Sequence, residues 1–216
     1  MQSRTLVPVI IPFSYAKLAV YCDMETDGGG WIVIQRRNAS MGWVNFTRNI
    51  SDYEKGFGDL DGEFWIGLKV IHELTNQQDM ALKMKVWNSN GNSMNWNYQR
   101  FSIYEKRNRY ALHQLSGSSG DGRYDAFGQT INSDTDFNTY DYYRPRWGNC
   151  GYTRQSGWWY YRGNCNSHSN PNGRHQPSGR CGIDQTGERL VWRMSSGYRI
   201  YTHSEIKIRP QSCNLS

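Results

Sequence analysis

The chain has 216 residues, a mass of 25.2 kDa and a formal net charge of +6, with a pI near 9.1. That length holds one large domain or two small ones with enough interior to bury most of the apolar surface; 14% aromatic residues, 22 glycines and 9 tryptophans point to bulky core groups joined by many turns. No apolar run approaches the roughly 18 residues that cross a bilayer, which excludes a transmembrane helix.

In chain order, MQSRTLVPVIIPF holds an apolar run interrupted by Pro8 and Pro12, with no small-residue cleavage site after it, and predicts a strand rather than a signal peptide. Gly28-Gly29-Gly30 reads as a tight turn, because the lysine and helix that a phosphate-binding loop requires do not follow. The run GWIVIQRR, Gly30 to Arg37, fits a central strand. In WIGLKVIHELTNQ, Ile66, Val70, Ile71 and Leu74 recur at helical spacing and Asn76 is a stop signal. MALKMKVWNSNGNSMNWNY alternates Met80, Leu82, Met84 and Val86 with Ala81, Lys83, Lys85 and Trp87, and predicts a β-hairpin turning at Asn90-Gly91. RYALHQL is a further strand, and so is YRIYTHSEIKIRP, where Ile206 and Ile208 alternate with Lys207 and Arg209. Residues 116 to 189 lack aliphatic periodicity and are too many for a structureless loop, so they predict an irregular subdomain ordered by turns, a disulfide or an ion. Binding residues concentrate on such segments.

The five cysteines are an odd number, and neither a CxxC pair nor zinc-ligand spacing occurs. Acceptor triplets at Asn38, Asn45, Asn49 and Asn214, together with the cysteines, favour a secreted, extracellular glycoprotein. The five histidines lie far apart and no GxSxG or HExxH occurs, which argues against an enzyme; nucleic-acid binding is favoured by pI alone and is not expected.

From Arg144 to Arg189 there are seven arginines (144, 146, 154, 162, 174, 180 and 189), no lysine, and only Asp184 and Glu188, so most of the net charge resides there. Guanidinium groups form forked hydrogen bonds to carboxylate, sulfate or phosphate, and the interleaved tyrosines and tryptophans can stack on sugars, so an anionic glycan fits Arg144 and Arg146. The alternative is a dispersed, solvated set of arginines with Trp158 and Trp159 in the core, since two adjacent residues of a strand cannot both face a ligand. In DTDFN, Asp134, Asp136 and Asn138 alternate as calcium ligands can, although Thr139 stands where a sharp-turn glycine would help and a bidentate Glu is missing; a solvated acidic turn is the competing reading.

The blocks VYCDMETDGGGWIVIQRR, DYEKGFGDLDGEFWIGLKVIHELT, GNC, GWWYYRGNC, NPNG and SEIKIRP, in this order, resemble the fibrinogen-like domain of ficolins, tachylectins, tenascins, angiopoietins and the fibrinogen chains. The resemblance runs from about Ala19 to Pro210. It implies an α+β fold with a central antiparallel sheet, a flanking helix and a loop-rich C-terminal ligand-binding subdomain. It divides the chain into a divergent or truncated segment (1–18), the domain (19–210) and a tail (211–216). It also implies a Cys150–Cys165 disulfide, leaving one bridge to be chosen among Cys22, Cys181 and Cys213.

Family members hold calcium through Asp residues six and eight before the GNC cysteine; the matching residues are Arg144 and Tyr142, so in that register the site is lost, and Asp134 with Asp136 is the remaining candidate. Lectin members build an acetyl pocket, which maps onto a cis Asn149-Cys150 peptide, Gly151 in place of the usual Ala and so a roomier pocket, a wall from Trp159 and Tyr160, and Asn166 or His168 as the polar partner. The expectation is a secreted, non-enzymatic innate-immune lectin for acetylated or acidic glycans. Its alternative is a protein-interaction module of a matrix, receptor-ligand or signalling protein. Oligomeric state stays open.

Overall fold

Period-two alternation becomes an antiparallel sheet whose last strand in sequence lies at its centre. The computed structural model describes residues 4–11, 16–38, 40–121, 127, 135–160, 165, 168–175, 183–184, 187–194 and 197–211. Strands β1 (Arg4–Ile11), β2 (Ala16–Asp23) and β3 (Trp31–Asn38) lead to helix α1 (Ile50–Lys55), and β4 (Phe57–Gly58) and β5 (Phe64–Trp65) to helix α2 (Leu68–Gln77). The hairpin of β6 (Met80–Trp87) and β7 (Ser93–Tyr98) is followed by β8 (Arg100–Ile103), β9 (Leu112–Ser116), β10 (Ser119–Gly120) and helix α3 (Cys150–Arg154). The remaining strands are β11 (Ser169–Asn170), β12 (Ile183–Asp184), β13 (Val191–Met194), β14 (Gly197–Ile200) and β15 (His203–Pro210).

Among the described residues the main sheet runs β1-β2-β3-β15-β6-β7-β10, with β5 added beside β3 and β4 beside β5. A smaller sheet has the order β11-β13-β14-β12, and β8 pairs with β9. The segment read from sequence as one strand, YRIYTHSEIKIRP, is therefore two. Tyr201 N donates to Leu190 O at 2.9 Å and Thr202 N to Trp87 O at 2.8 Å, so the backbone leaves the small sheet and enters the large one at that point.

Local chemistry accounts for the elements. Met80, Leu82, Met84 and Val86 are buried while the residues between them are half-buried, as their alternation requires. The β6–β7 turn is closed by Asn88 Oδ1, which accepts from Asn90 N and Asn92 N, both at 3.0 Å. Ile71 and Leu74 of α2 enter the same core. The three glycines at 28 to 30 all have positive φ, and a Cβ on Gly29 would lie 2.6 Å from Met24 O.

The core is aromatic and it reaches into the irregular region. Tyr53, Trp65, Phe137 and Trp159 contact one another, and Phe127 stacks on Trp158 at 5.2 Å. A buried polar knot ties the sheet to the NPNG block. Glu63 accepts from Arg37 Nε (3.3 Å), Asn38 N (2.8 Å), Val44 N (2.9 Å) and His175 Nε2. Arg37 Nη1 donates to Asn172 O at 3.1 Å, and Gln35 Nε2 donates to Pro171 O and Asn172 Oδ1, both at 3.0 Å. Asn172 Nδ2 donates to Gly157 O at 2.8 Å, which passes the linkage on to the 135–160 segment.

Candidate functional site

The 135–160 segment is irregular in sequence but fixed in space. Phe137 is buried; Asn138 and Trp158 exchange backbone hydrogen bonds of 2.9 and 3.1 Å, and Thr139 and Tyr142 close a turn by exchanging bonds of 3.1 and 3.2 Å. Asp141 Oδ1 accepts from Thr139 Oγ1 (2.6 Å) and from Ile50 N (3.0 Å), docking this turn on the start of α1. Asn149 caps α3: its Oδ1 accepts from Tyr152 N at 3.0 Å, while its Nδ2 donates to Tyr140 O at 2.7 Å. The Cys150–Cys165 disulfide forms, and Arg154 donates through Nε and Nη2 to Cys165 O at 2.9 and 2.6 Å.

One acidic group organises the charge of this face. The Asp136 side chain is 7% exposed and accepts from Arg109 Nε at 3.0 Å, from Arg144 Nε, and from Arg144 Nη2 at 3.3 Å. The Arg109 guanidinium lies 3.9 Å over the Tyr142 ring. The hydrogen bond to Asp136 raises the Arg144 pKa above its ordinary value. Two guanidinium groups around one carboxylate leave a local surplus of positive charge.

Among the described residues four large apolar side chains are exposed, and three of them, Trp43 (68%), Tyr140 (40%) and Tyr152 (67%), belong to α3 or to segments that hydrogen bonds tie to it. Thr47 Oγ1 donates to Gln155 O at 2.6 Å, Gln155 Nε2 to Tyr152 O at 2.6 Å, and Arg174 Nη2 to Gln155 Oε1 at 3.0 Å. These bonds join the Trp43 loop to α3. Arg146 is exposed, its guanidinium 4.4 Å over the Trp147 ring.

The family profile of the globular domain at the C-terminus of the fibrinogen beta and gamma chains matches residues 2–211. The chain belongs to this fibrinogen-like family. Fibrinogen-like protein 1 of Bos taurus is 38% identical over 209 residues, covering 91% of this chain and 64% of the relative, so the chain spans under two thirds of that relative's length. The fibrinogen-like globe domain of human ANGPTL6 superposes with a TM-score of 0.81 at 29% identity, covering 97% of this chain and 90% of that one. A lamprey fibrin D-dimer complexed with the peptide ligand Gly-His-Arg-Pro-amide gives a TM-score of 0.78 at 26% identity, over 100% of this chain and 72% of that one. β1 of the present domain, in the segment expected to be divergent, pairs with β2 along eight residues.

Several features expected of the fibrinogen-like pocket are arranged differently. Trp159 and Tyr160 form no open wall: each is 1% exposed, Trp159 Nε1 donates to Tyr110 O at 2.7 Å, and the Tyr160 hydroxyl is 2.6 Å from Ser156 Oγ. Trp158 is buried beside them, so three consecutive residues point inward from a segment that is not a regular strand. No cis peptide occurs among the described residues, and the Asn149–Cys150 bond is trans at the entry to α3. Gly151 does not widen a pocket; the backbone of Thr139 and Tyr140 occupies the space its Cβ would need. Arg154 is interior and drops out of the basic face.

Of the calcium candidate pair, Asp136 has both oxygens on guanidinium groups, while Asp134 lies outside the described residues. Cys150 and Gly151 are buried, and His168 is half-buried, its pKa lowered by desolvation and by Arg193. Cys22 is a buried thiol with no disulfide partner among the described residues. Asn45 is exposed, Asn38 is half-buried, and Asn49 caps α1 by accepting from Asp52 N at 2.8 Å. Asp134, Asn166, Cys181, Cys213 and Asn214 lie outside the described residues, as do Arg162 and Arg180. Sequence reasoning missed Trp43 and Arg109; an isolated tryptophan among acceptor triplets was the available signal for the first, and none marked the second.

Proposed function

We propose that this fibrinogen-like domain is an extracellular, non-enzymatic recognition module that binds a protein or peptide partner through the strip of Trp43, Tyr140, Tyr152 and Arg146. The observation that carries the reading is the composition of that strip. Exposed Trp, Tyr and Arg on a rigid scaffold are the residue types that dominate protein-binding hot spots. The peptide ligand of the lamprey fibrin fragment and the fibrinogen-like and angiopoietin-related relatives support it. The acceptor triplets support secretion, and among the described residues no helix is long and apolar enough to cross a membrane.

The lectin reading loses its aromatic wall with the burial of Trp159 and Tyr160, while Arg144 and Arg146 keep an acidic glycan as the second ligand class. Parallel binding to an array of extracellular ectodomains and to a glycan array separates the two. Protein binding that survives free N-acetyl sugars and falls about tenfold or more in Tyr152→Ala with Arg146→Ala is the expected outcome. Binding confined to glycans and competed by free N-acetyl sugars contradicts it.

A further inference from the structure

Away from that strip, a depression of about 410 Å³ lies over the polar face of the main sheet and is floored by β2, β3, β15 and β6. Its lining includes Arg36, Lys85 and Lys207 as cations and Asp23 and Glu205 as carboxylates; Arg37 also borders it but is spent on buried Glu63. The floor is built rather than merely superficial: the Arg36 and Lys207 side chains are 8% and 5% exposed.

The carboxylates of this cleft are occupied from within. Asp23 Oδ1 takes Glu25 N and Thr26 N at 2.9 Å each, and its Oδ2 takes Thr26 Oγ1 at 2.5 Å and Lys207 Nζ. Glu205 Oε2 accepts from Arg36 Nε and Nη2 at 3.2 and 3.1 Å, and Oε1 from Lys207 Nζ at 3.2 Å. Lys207 places its third hydrogen bond on Thr26 Oγ1 at 3.0 Å and is saturated. Asn88 Oδ1 is held by the hairpin amides.

The charged group left over is a donor. Lys85 Nζ forms no ion pair among the described residues and sits 5.0 Å over the Trp87 ring, and Asn88 lines the same cleft. A ligand must therefore bring acceptors, and the fixed charges exceed neutrality by one cation. The ring of Trp87 beside amide and ammonium donors suits the flat face and hydroxyl oxygens of a pyranose.

We infer that this cleft binds a sugar bearing one carboxylate or sulfate, its acid group on Lys85 and its ring against Trp87. The site is separate from the protein-binding strip and does not rest on that reading. Isothermal titration of the full-length protein in an Asn38→Gln background, where no covalently attached sugar can stand at the rim, uses glucuronic acid, glucose 6-sulfate, glucose and acetate as probes. Glucuronic acid and glucose 6-sulfate are expected to bind at least about tenfold more tightly than glucose or acetate, the scale of one charge-assisted contact. The ranking of the two acids tells carboxylate from sulfate. Lys85→Gln should abolish the preference, Lys85→Arg should keep it, and Arg146→Ala should leave it unchanged. Glucose binding as tightly as glucuronic acid, acetate doing so, retention in Lys85→Gln, or no binding of either acid overturns the inference.

Discussion

At Glu63, burial and hydrogen bonding act in opposite directions. Desolvation raises its pKa, whereas His175, Arg37 and the Val44 amide favour the charged form, and the net shift is downward from 4.5. A depressed pKa stabilises the fold above the unfolded carboxylate value, and that contribution is lost as pH falls through the folded value. Stability should thus decline below about pH 4.5, and Glu63→Gln should flatten this acid limb. Because the substitution strips buried Arg37 of its partner, it should cost about 3–5 kcal/mol near neutral pH. Urea titrations near neutrality and near pH 4 measure both effects, and equal stability of the two proteins near neutrality contradicts the assignment. At Gly151 the limit is steric. Gly151→Ala should destabilise by about 1–3 kcal/mol in thermal unfolding, since the Thr139 backbone must retreat; an unchanged midpoint would show that the turn yields freely.

Among the elements, strands and helices with strong periodicity were legible in the sequence. The β6–β7 hairpin, the Ile71 and Leu74 face of α2 and the glycine turn at 28 to 30 stand where alternation, helical spacing and φ preference put them. The 135–160 segment was legible only as a place of irregular order. Its hydrogen bonds join residues by turns, so no period in the sequence records that Arg144 meets Asp136 or that Asn149 caps α3. The open wall of Trp159 and Tyr160 was implied by the resemblance alone; the residue-level reading that placed Trp158 and Trp159 in the core agrees with their burial, and three inward residues in succession mark a crossing segment rather than a strand. Resemblance supplied the Cys150–Cys165 bridge, which spacing alone could not choose. With a sequence separation of 15, replacing both cysteines by alanine should cost on the order of 3 kcal/mol in urea unfolding, and amide exchange should quicken first in α3. Unchanged exchange in α3 would argue that Asn149 and Arg154 hold the helix unaided.

Across the whole molecule, positive charge is organised in two ways. In the sheet cleft, cations are locked to carboxylates, and Lys85 is the cation left without one among the described ion pairs. On the face of the 135–160 segment, guanidinium groups gather around Asp136, and the contacts from Arg109 and Arg144 hold this carboxylate from within the chain. That face is thereby expected to bind partners without a metal. Thermal unfolding in excess chelator and in millimolar calcium tests this claim most directly. The midpoint should be the same in both, since a ligand stabilises a fold only when the folded state binds it. A midpoint several degrees higher in calcium would mean that oxygen donors assemble around an ion after all, and that the Arg144–Asp136 pair is not what holds the face in place.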